Sequence, residues 1–350
     1  MTTLRGGFTT GACAAAAAKA AAMLLCGISP VEKVDVALPD GERVTFPIVQ
    51  SRSDAACAEA AVRKDAGDDP DVTHGALVVV AVSWMEAGDV AFAAGEGVGT
   101  VTKPGLSIPP GEPAINPTPR RMIRAAVREA TDRPVKVTIS IPGGREMAAK
   151  TFNPKLGVEG GLSILGTTGR VRPFSCPALR EALRCALRVA AACGVSAPVL
   201  VPGHIGERAA RAQFRLAPEQ VIEVGNEWGF VLDCLSNHNF TRMLIVGHPG
   251  KLAKLAVGEW DTHSSRSGNA AEIVSRMAQE LGMESPSSPT TEGMFAALSK
   301  EDRTRLGRAV AGRVHKAVAE RMGGQLEVSI VLVDMRGQRI GSEGDLSTWQ

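Results

Sequence analysis

Between residues 199 and 260 the chain repeats one local pattern: an apolar run, a turn carrying glycine, then a stretch compatible with a helix. The runs begin at Val199-Leu200-Val201, Val221-Ile222-Glu223-Val224 and Met243-Leu244-Ile245-Val246. Strands that alternate with helices need crossover connections, which confines this half of the chain to a parallel sheet. Its turns then gather outside the carboxyl ends of the strands, where α/β sheets hold their ligands. The expected architecture is a Rossmann-like, three-layer α/β domain over 151–350, preceded by an α+β domain over 1–150.

The first half has a different texture. Gly6-Gly7-Phe8-Thr9-Thr10-Gly11 reads as a glycine loop with Thr9 or Thr10 as N-cap, followed by an alanine-rich helix from Cys13 to Cys26. Val34–Val49 reads as a hairpin turning at Pro39-Asp40-Gly41, and Gly75–Trp84 and Val135–Ile141 as strands. From Gly95 to Pro119 runs a Gly/Pro segment with no helical period, a kind of loop that usually carries function. Pro119 suits the first turn of a helix running from Arg120 to about Ala130. A second glycine-rich stretch, Asn153–Arg172, is the expected junction of the halves.

Beyond it, Ala178–Cys193 carries Leu179, Leu183 and Leu187 in one stripe of an amphipathic helix, with Arg180, Arg184 and Arg188 as a solvated row. Ser285–Thr291 is an expected surface loop. A helix over Asp302–Arg321 and a strand over Val328–Val333 are expected to close the chain.

Composition narrows the function. With 39 basic and 37 acidic residues the net charge is only +2, so no global field recruits nucleic acid or anionic lipid. Tyrosine is absent, which leaves little for base stacking. The 7 cysteines include no CxxC pair, so no metal site is expected, and a reduced cytoplasmic chain is the natural reading. Arg5 and the alanine run imitate a leader peptide, but Lys19 interrupts the run and Thr9-Thr10-Gly11 reads as a helix start. No run reaches the roughly 18 apolar residues of a membrane span.

Several residues could carry chemistry. In VLVPGHIGERAARA, Gly203 and Gly206 let backbone approach a cofactor at a helix start, with Glu207 beside them. Glu223, on the next strand, stands near the spacing of a carboxylate that holds ribose hydroxyls. A plain strand–helix turn would show the same glycines; if they do hold a cofactor, Gly206→Val should abolish binding and spare the fold. Gly247, Gly250 and Lys251 repeat the theme, but Leu252 stands where a phosphate-binding loop needs Ser or Thr. His263, in Asp261-Thr262-His263-Ser264, could reach the same crevice. In the first half Thr9 and Thr10 could hold an anion on a helix start. Lys19, Lys103, Asn116, Arg120 and Arg121 are further candidates for an anionic substrate. Asp65, Asp68, Asp69 and Asp71 crowd four acids into seven residues. Mutual repulsion could raise one pKa and make Asp68, Asp69 or Asp71 catalytic; a turn that fixes the following strand is the competing reading.

Taken together, LRGGFTTGACAAAAAKAA, KDAGDDPDVTHG, GEGVGTVTKPGLSIPPGEPAINPTPRRMI, NPKLGVEGGLSILGTTGRVRP, GHPGKLAKLAVG and DTHSS resemble one family, the cobalt-precorrin-5B C1-methyltransferases. The blocks run in order from residue 4 to 264, with a weaker likeness beyond. The resemblance implies a cytoplasmic enzyme of cobalamin biosynthesis that methylates C-1 of a tetrapyrrole, with S-adenosylmethionine as methyl donor and cobalt only as part of the substrate. Other enzymes of that pathway, or a second copy of the chain, are the implied protein partners. No catalytic residue is carried across by the resemblance. The residues alone leave two other readings open, a nucleotide- or phosphate-dependent transferase and a non-enzymatic carrier of a corrinoid intermediate.

Overall fold

The computed structural model describes residues 4–283 and 288–350. The chain forms two compact units, Met1–Ala178 and Leu179–Gln350. The division thus falls later than residue 150, because the glycine-rich stretch expected at the junction is built into the first unit.

That unit is organised by the helix Thr10–Leu25, capped by Thr9, whose hydroxyl accepts from the Ala12 amide. Ala12, Ala14–Ala18 and Ala20–Ala22 are all fully buried. A helix apolar on every side must be wrapped, and its methyl-sized side chains let neighbours approach its backbone closely. It packs on the helix Pro117–Arg128 and on the strands Cys57–Arg63 and Leu77–Trp84. The sheet order is Gln50–Ser53, Cys57–Arg63, Leu77–Trp84, Val135–Ser140, Val90–Ala94. All of its pairs are antiparallel except the last. Val78, Val80 and Val82 alternate inward and meet Val135, Val137 and Ile139 in the same core, the period-two burial of a sheet covered on one face. The expected hairpin is present as Lys33–Ala37 paired with Arg43–Pro47. The helix after the Gly/Pro segment starts earlier than expected, at Pro117, with Asn116 as its N-cap.

The Gly/Pro segment is not a free loop. Thr100–Val101 pairs antiparallel with Val158–Glu159, Val98 bridges Leu162, and Ile115 bridges Ile164. The two stretches that lacked periodicity are therefore each other's partners. Glycine makes this possible: a Cβ on Gly161 would lie 2.2 Å from the Gly97 carbonyl oxygen, and one on Gly144 would lie 2.3 Å from it.

The second unit holds a five-stranded sheet in the order Val221–Glu223, Val199–Val201, Arg242–Gly247, Glu327–Val333, Arg339–Glu343. The first four strands are parallel, as expected, and the last is antiparallel. Both faces are buried. Leu200, Ile245 and Ile330 face one core, and Val199, Val201, Leu244 and Val246 face the other. Sequence reading missed that last strand, the C-terminal Trp349 that caps the second core, and the helix Ala270–Glu280. Of the expected Ser285–Thr291 loop, residues 285–287 lie outside the described residues, and Thr291 begins a helix capped by Thr290. No helix among the described residues is long and apolar enough to cross a membrane.

Candidate functional site

Strand order in the second unit reverses between Val199–Val201 and Arg242–Gly247: the chain leaves the first strand to one side and returns on the other. Ligands of open α/β sheets bind at such a switch point. The residues that follow the two strands are Pro202-Gly203 and His248-Pro249-Gly250. The Lys251 ammonium donates to the Pro202 carbonyl at 3.2 Å, tying the turns together. Burial lowers the Lys251 pKa and the nearby Lys254 pushes the same way, while the Glu223 carboxylate opposes them. Glu223 in turn lies over Gly203, where a Cβ would stand 3.7 Å from its Oε1. Gly203, Glu223, Gly247 and Lys251 are thus brought together at the strand ends, and the missing side chain of Gly203 leaves backbone open beneath a carboxylate.

His248 is a brace. Its Nδ1 accepts from the Gly250 amide at 3.0 Å and its Nε2 lies 3.0 Å from Glu292 Oε2, so Nε2 carries the proton. Gly250 closes that cap, since a Cβ there would meet His248 Nδ1 at 2.9 Å. On the neighbouring strand end, Thr262 donates to Asn226 through its amide at 3.3 Å and its hydroxyl at 3.2 Å. This holds Asp261-Thr262-His263 against the turn after Glu223. His263 itself is exposed and its ring bonds Ser265 at 2.8 Å.

Two expectations at these turns are corrected. Glu207 is occupied by Arg211, one helical turn on, at 3.2 Å. Gly206 does not face an open cradle, because a Cβ there would lie 2.4 Å from the Val246 carbonyl oxygen. Gly206→Val therefore displaces backbone and, contrary to the sequence expectation, should lower the thermal midpoint by several degrees, as expected of about 1–3 kcal/mol of overpacking. A thermal scan of the variant checks this, and a midpoint at the wild-type value would restore Gly206 as a clean binding probe.

In the first unit most candidates turn out to be internal fasteners. The Gly11 amide donates to the Leu165 carbonyl and the Cys13 amide to the Thr9 carbonyl. Thr10 accepts from the Leu165 amide at 3.0 Å, and both Thr9 and Thr10 are buried. The helix start is therefore filled by the chain's own backbone. Lys19 donates to Glu129 at 2.7 Å and to the Asp35 carbonyl at 2.8 Å, so its charge is spent inside the fold. Arg120 holds the Ile115 and Pro113 carbonyls at 2.8 and 3.2 Å and Glu112 at 2.8 Å, which locks the Gly/Pro segment. The Asn116 amide bonds the Ile164 carbonyl, and Lys103 lies over Gly157. Arg121 is exposed and donates to Thr118 at 2.9 Å.

Two carboxyls of the acidic cluster, Asp65 and Asp71, are held below their ordinary range. Asp65 grips Arg5 and its pKa is held down to about 2, first by that bond and then by the Gly67 amide. Asp68 accepts from the Arg5 amide at 2.6 Å and Asp69 from the Phe174 amide at 3.0 Å. Burial pushes Asp71 upward, but the buried Lys64 ammonium at 2.7 Å and Thr73 outweigh it and lower its pKa. The expected raised carboxyl is absent from Asp71 because each acid found a donor that sequence spacing does not reveal. Cys13 is no ready nucleophile in its place, since burial pushes its thiol up to about 12.

Sequence reading gave no role to Asn226 or Thr262, for which no local signal exists. It placed Lys254 with Lys251 at a helix start without seeing it as buried, although its place among Leu252, Ala253 and Leu255 was the available sign of a buried cation.

Comparison with known proteins agrees along the whole chain. The CbiD family model matches residues 1–173, and the model of the CbiD C-terminal domain matches residues 261–344. A protein named cobalt-precorrin-5B C(1)-methyltransferase from Syntrophotalea carbinolica is 53% identical, over 100% of both chains. One of the same name from Salinispora arenicola is 44% identical over 96% of this chain and 92% of its own. A 1.9 Å crystal structure of a cobalamin biosynthesis protein (cbiD) from Archaeoglobus fulgidus aligns with 29% identity and a TM-score of 0.40, covering 80% of this chain and 85% of that one. On the family models and on these full-length identities, the chain belongs to the CbiD family.

Proposed function

We propose that this chain is a cobalt-precorrin-5B C1-methyltransferase of cobalamin biosynthesis, and that its Rossmann-like second unit holds S-adenosylmethionine at the switch point. The full-length 53% identity to a relative of that name carries the reaction. The gathering of Gly203, Glu223 and Lys251 carries the donor's place. A half-buried carboxylate above side-chain-free backbone suits the two hydroxyls of a ribose, and the open backbone at Gly203 can lie close to a nucleoside. S-adenosylmethionine supplies an electrophilic methyl group; the chain's own residues need only bind, orient and exclude water, because in-line transfer is governed by positioning. Thr262 and Asn226 fix the neighbouring turn, and His248 with Glu292 sets the angle of the 249–255 helix.

For the macrocycle, the first unit offers a cleft lined by Leu4, Phe8, Arg170, Arg172 and Pro173. Apolar walls with guanidinium groups suit a flat ring fringed with acetates and propionates. Proton transfer through Asp68, Asp69 or Asp71 is left out of this reading, since their carboxylates serve the fold.

Titration calorimetry with S-adenosylhomocysteine tests the donor site. Glu223→Gln is expected to weaken binding about 10–100-fold, the loss of charge-assisted bonds worth roughly 1.5–3 kcal/mol, with an unchanged thermal midpoint. Wild-type affinity in that variant would move the donor elsewhere, and ATP binding in place of S-adenosylhomocysteine would favour the phosphate-dependent transferase.

A further inference from the structure

Two lysines of this chain are buried to a similar degree, Lys64 at 2% and Lys254 at 6% exposure. Lys64 faces the Asp71 carboxylate at 2.7 Å. Among the described residues Lys254 has no such partner. Its ammonium donates to the Thr262 carbonyl at 3.2 Å and to the Ser267 hydroxyl at 2.7 Å, both neutral acceptors. Among the described residues no carboxylate forms an ion pair with it. Glu259, whose carboxylate lies on Gly268, is committed to that residue's amide at 3.0 Å.

A buried ammonium is stable when an anion faces it and costly when none does. Lys254 also lines a cavity of about 370 Å³, together with Gly250, Ser264, Ser267, Asn269 and Thr291. That volume is within the range of small-molecule sites. The wall is rich in hydroxyls, and the first residues of the helix Ala270–Glu280 form part of it. A buried cation with no carboxylate partner among the described residues, hydrogen-bond donors and an open pocket therefore meet at one place.

We propose that this cavity binds an oxyanion group, a carboxylate or phosphate carried by a small ligand, with the Lys254 ammonium as its counter-charge and the Ser264 and Thr291 hydroxyls as donors. The phosphate source stands apart from the methyl-donor reading, whereas the carboxylate source rests on it. Two sources share the chemistry: free phosphate, and the amino-acid carboxylate of a nucleoside ligand such as S-adenosylhomocysteine.

The full-length protein is titrated with inorganic phosphate, with S-adenosylhomocysteine, and with 5′-methylthioadenosine, which lacks the amino-acid arm. Two variants are compared. Lys254→Met removes the charge at similar length, and Ser267→Asp puts a tethered carboxylate where the hydroxyl already touches the ammonium. In both, binding of the anion should fall at least tenfold. Ser267→Asp should also raise the thermal midpoint, which shows that the lost binding is not lost folding. If the source is the carboxylate arm, S-adenosylhomocysteine weakens in both variants while 5′-methylthioadenosine does not. If it is phosphate, only the phosphate titration changes. Phosphate binding that depends on Lys254 alongside no binding of S-adenosylhomocysteine would sustain the cavity and remove the methyl-donor reading. The inference is overturned if wild-type protein and both variants show the same response to phosphate and to S-adenosylhomocysteine.

Discussion

Asp71→Asn should lower the stability of the first unit by about 3–5 kcal/mol, because it strands the Lys64 ammonium in the interior. Lys64 Nζ lies 2.7 Å from Asp71, and the lysine side chain is 1% exposed. Asparagine keeps an oxygen for the Thr73 amide and hydroxyl, which Asp71 Oδ1 now receives at 2.8 and 2.6 Å. It cannot neutralise the ammonium. Adding Lys64→Met to Asp71→Asn removes the stranded charge and should restore most of the loss, a coupling that a double-mutant cycle in urea measures directly. A single variant within about 1 kcal/mol of wild type would mean the pair is not structural, and would reopen Asp71 as a catalytic group.

The same pair sets a pH dependence. A carboxyl whose pKa is lower in the folded than in the unfolded chain stabilises above the unfolded value, near 3.9 for Asp, and that contribution is lost as pH falls through the folded value. Asp71 is lowered despite its burial, and Asp65 is held at about 2 by Arg5 and the Gly67 amide. The first unit should therefore lose stability between about pH 4 and pH 2. Asp71→Asn should flatten that slope.

Gly97→Ala should be at least as damaging, at about 3–5 kcal/mol. Gly97 has φ +72°, and a Cβ there would lie 1.9 Å from the Ile141 carbonyl oxygen. Left-handed backbone alone costs an alanine about 1–2 kcal/mol. The collision adds an overpacking cost that flexible side chains cannot absorb, because backbone stands in the way. The Gly97 carbonyl also receives the Leu162 amide, so a displaced residue 97 loosens the pairing between the two glycine-rich stretches. Gly111→Ala is the control within the same segment. Its φ is +91° and nothing lies within 4 Å, so only the conformational cost remains, about 1 kcal/mol. Equal midpoints for the two variants in thermal unfolding would show that the segment is not held by that close approach.

How much of this was legible in the sequence depended on the range of the interaction. Thr9 before an alanine run, the alternating valines of Leu77–Trp84 and the strand–glycine–helix units after Val199 are local signals, and each produced the expected element. The switch-point residues Gly203, Glu223 and Lys251 were also legible, since parallel strands oblige their turns to share one edge of the sheet. The charged residues of the first unit were not. Lys19 finds Glu129 across 110 positions and Asp69 finds Phe174 across 105, and no period or motif encodes such pairs. Lys19 looked available for a substrate because its partner is distant in sequence; Arg120 and Asp71 have partners five to eight residues away, but in irregular turns where no helical or strand period brings the pair together.

Chain periodicity and turn chemistry by themselves determined the parallel sheet of the second unit and the alanine helix of the first, because both follow from continuous local apolar runs and the glycine or capping residues that bound them. Tertiary structure alone decided that the segments around Gly97 and Gly161 would pair. Glycine marks where backbones can approach closely but carries no side chain to name its partner. It decided, too, that Lys64 would be neutralised inside the fold and Lys254 left facing a cavity. The charge on a lysine is written in the sequence, whereas its compensation depends on which acceptors folding brings within 3 to 4 Å.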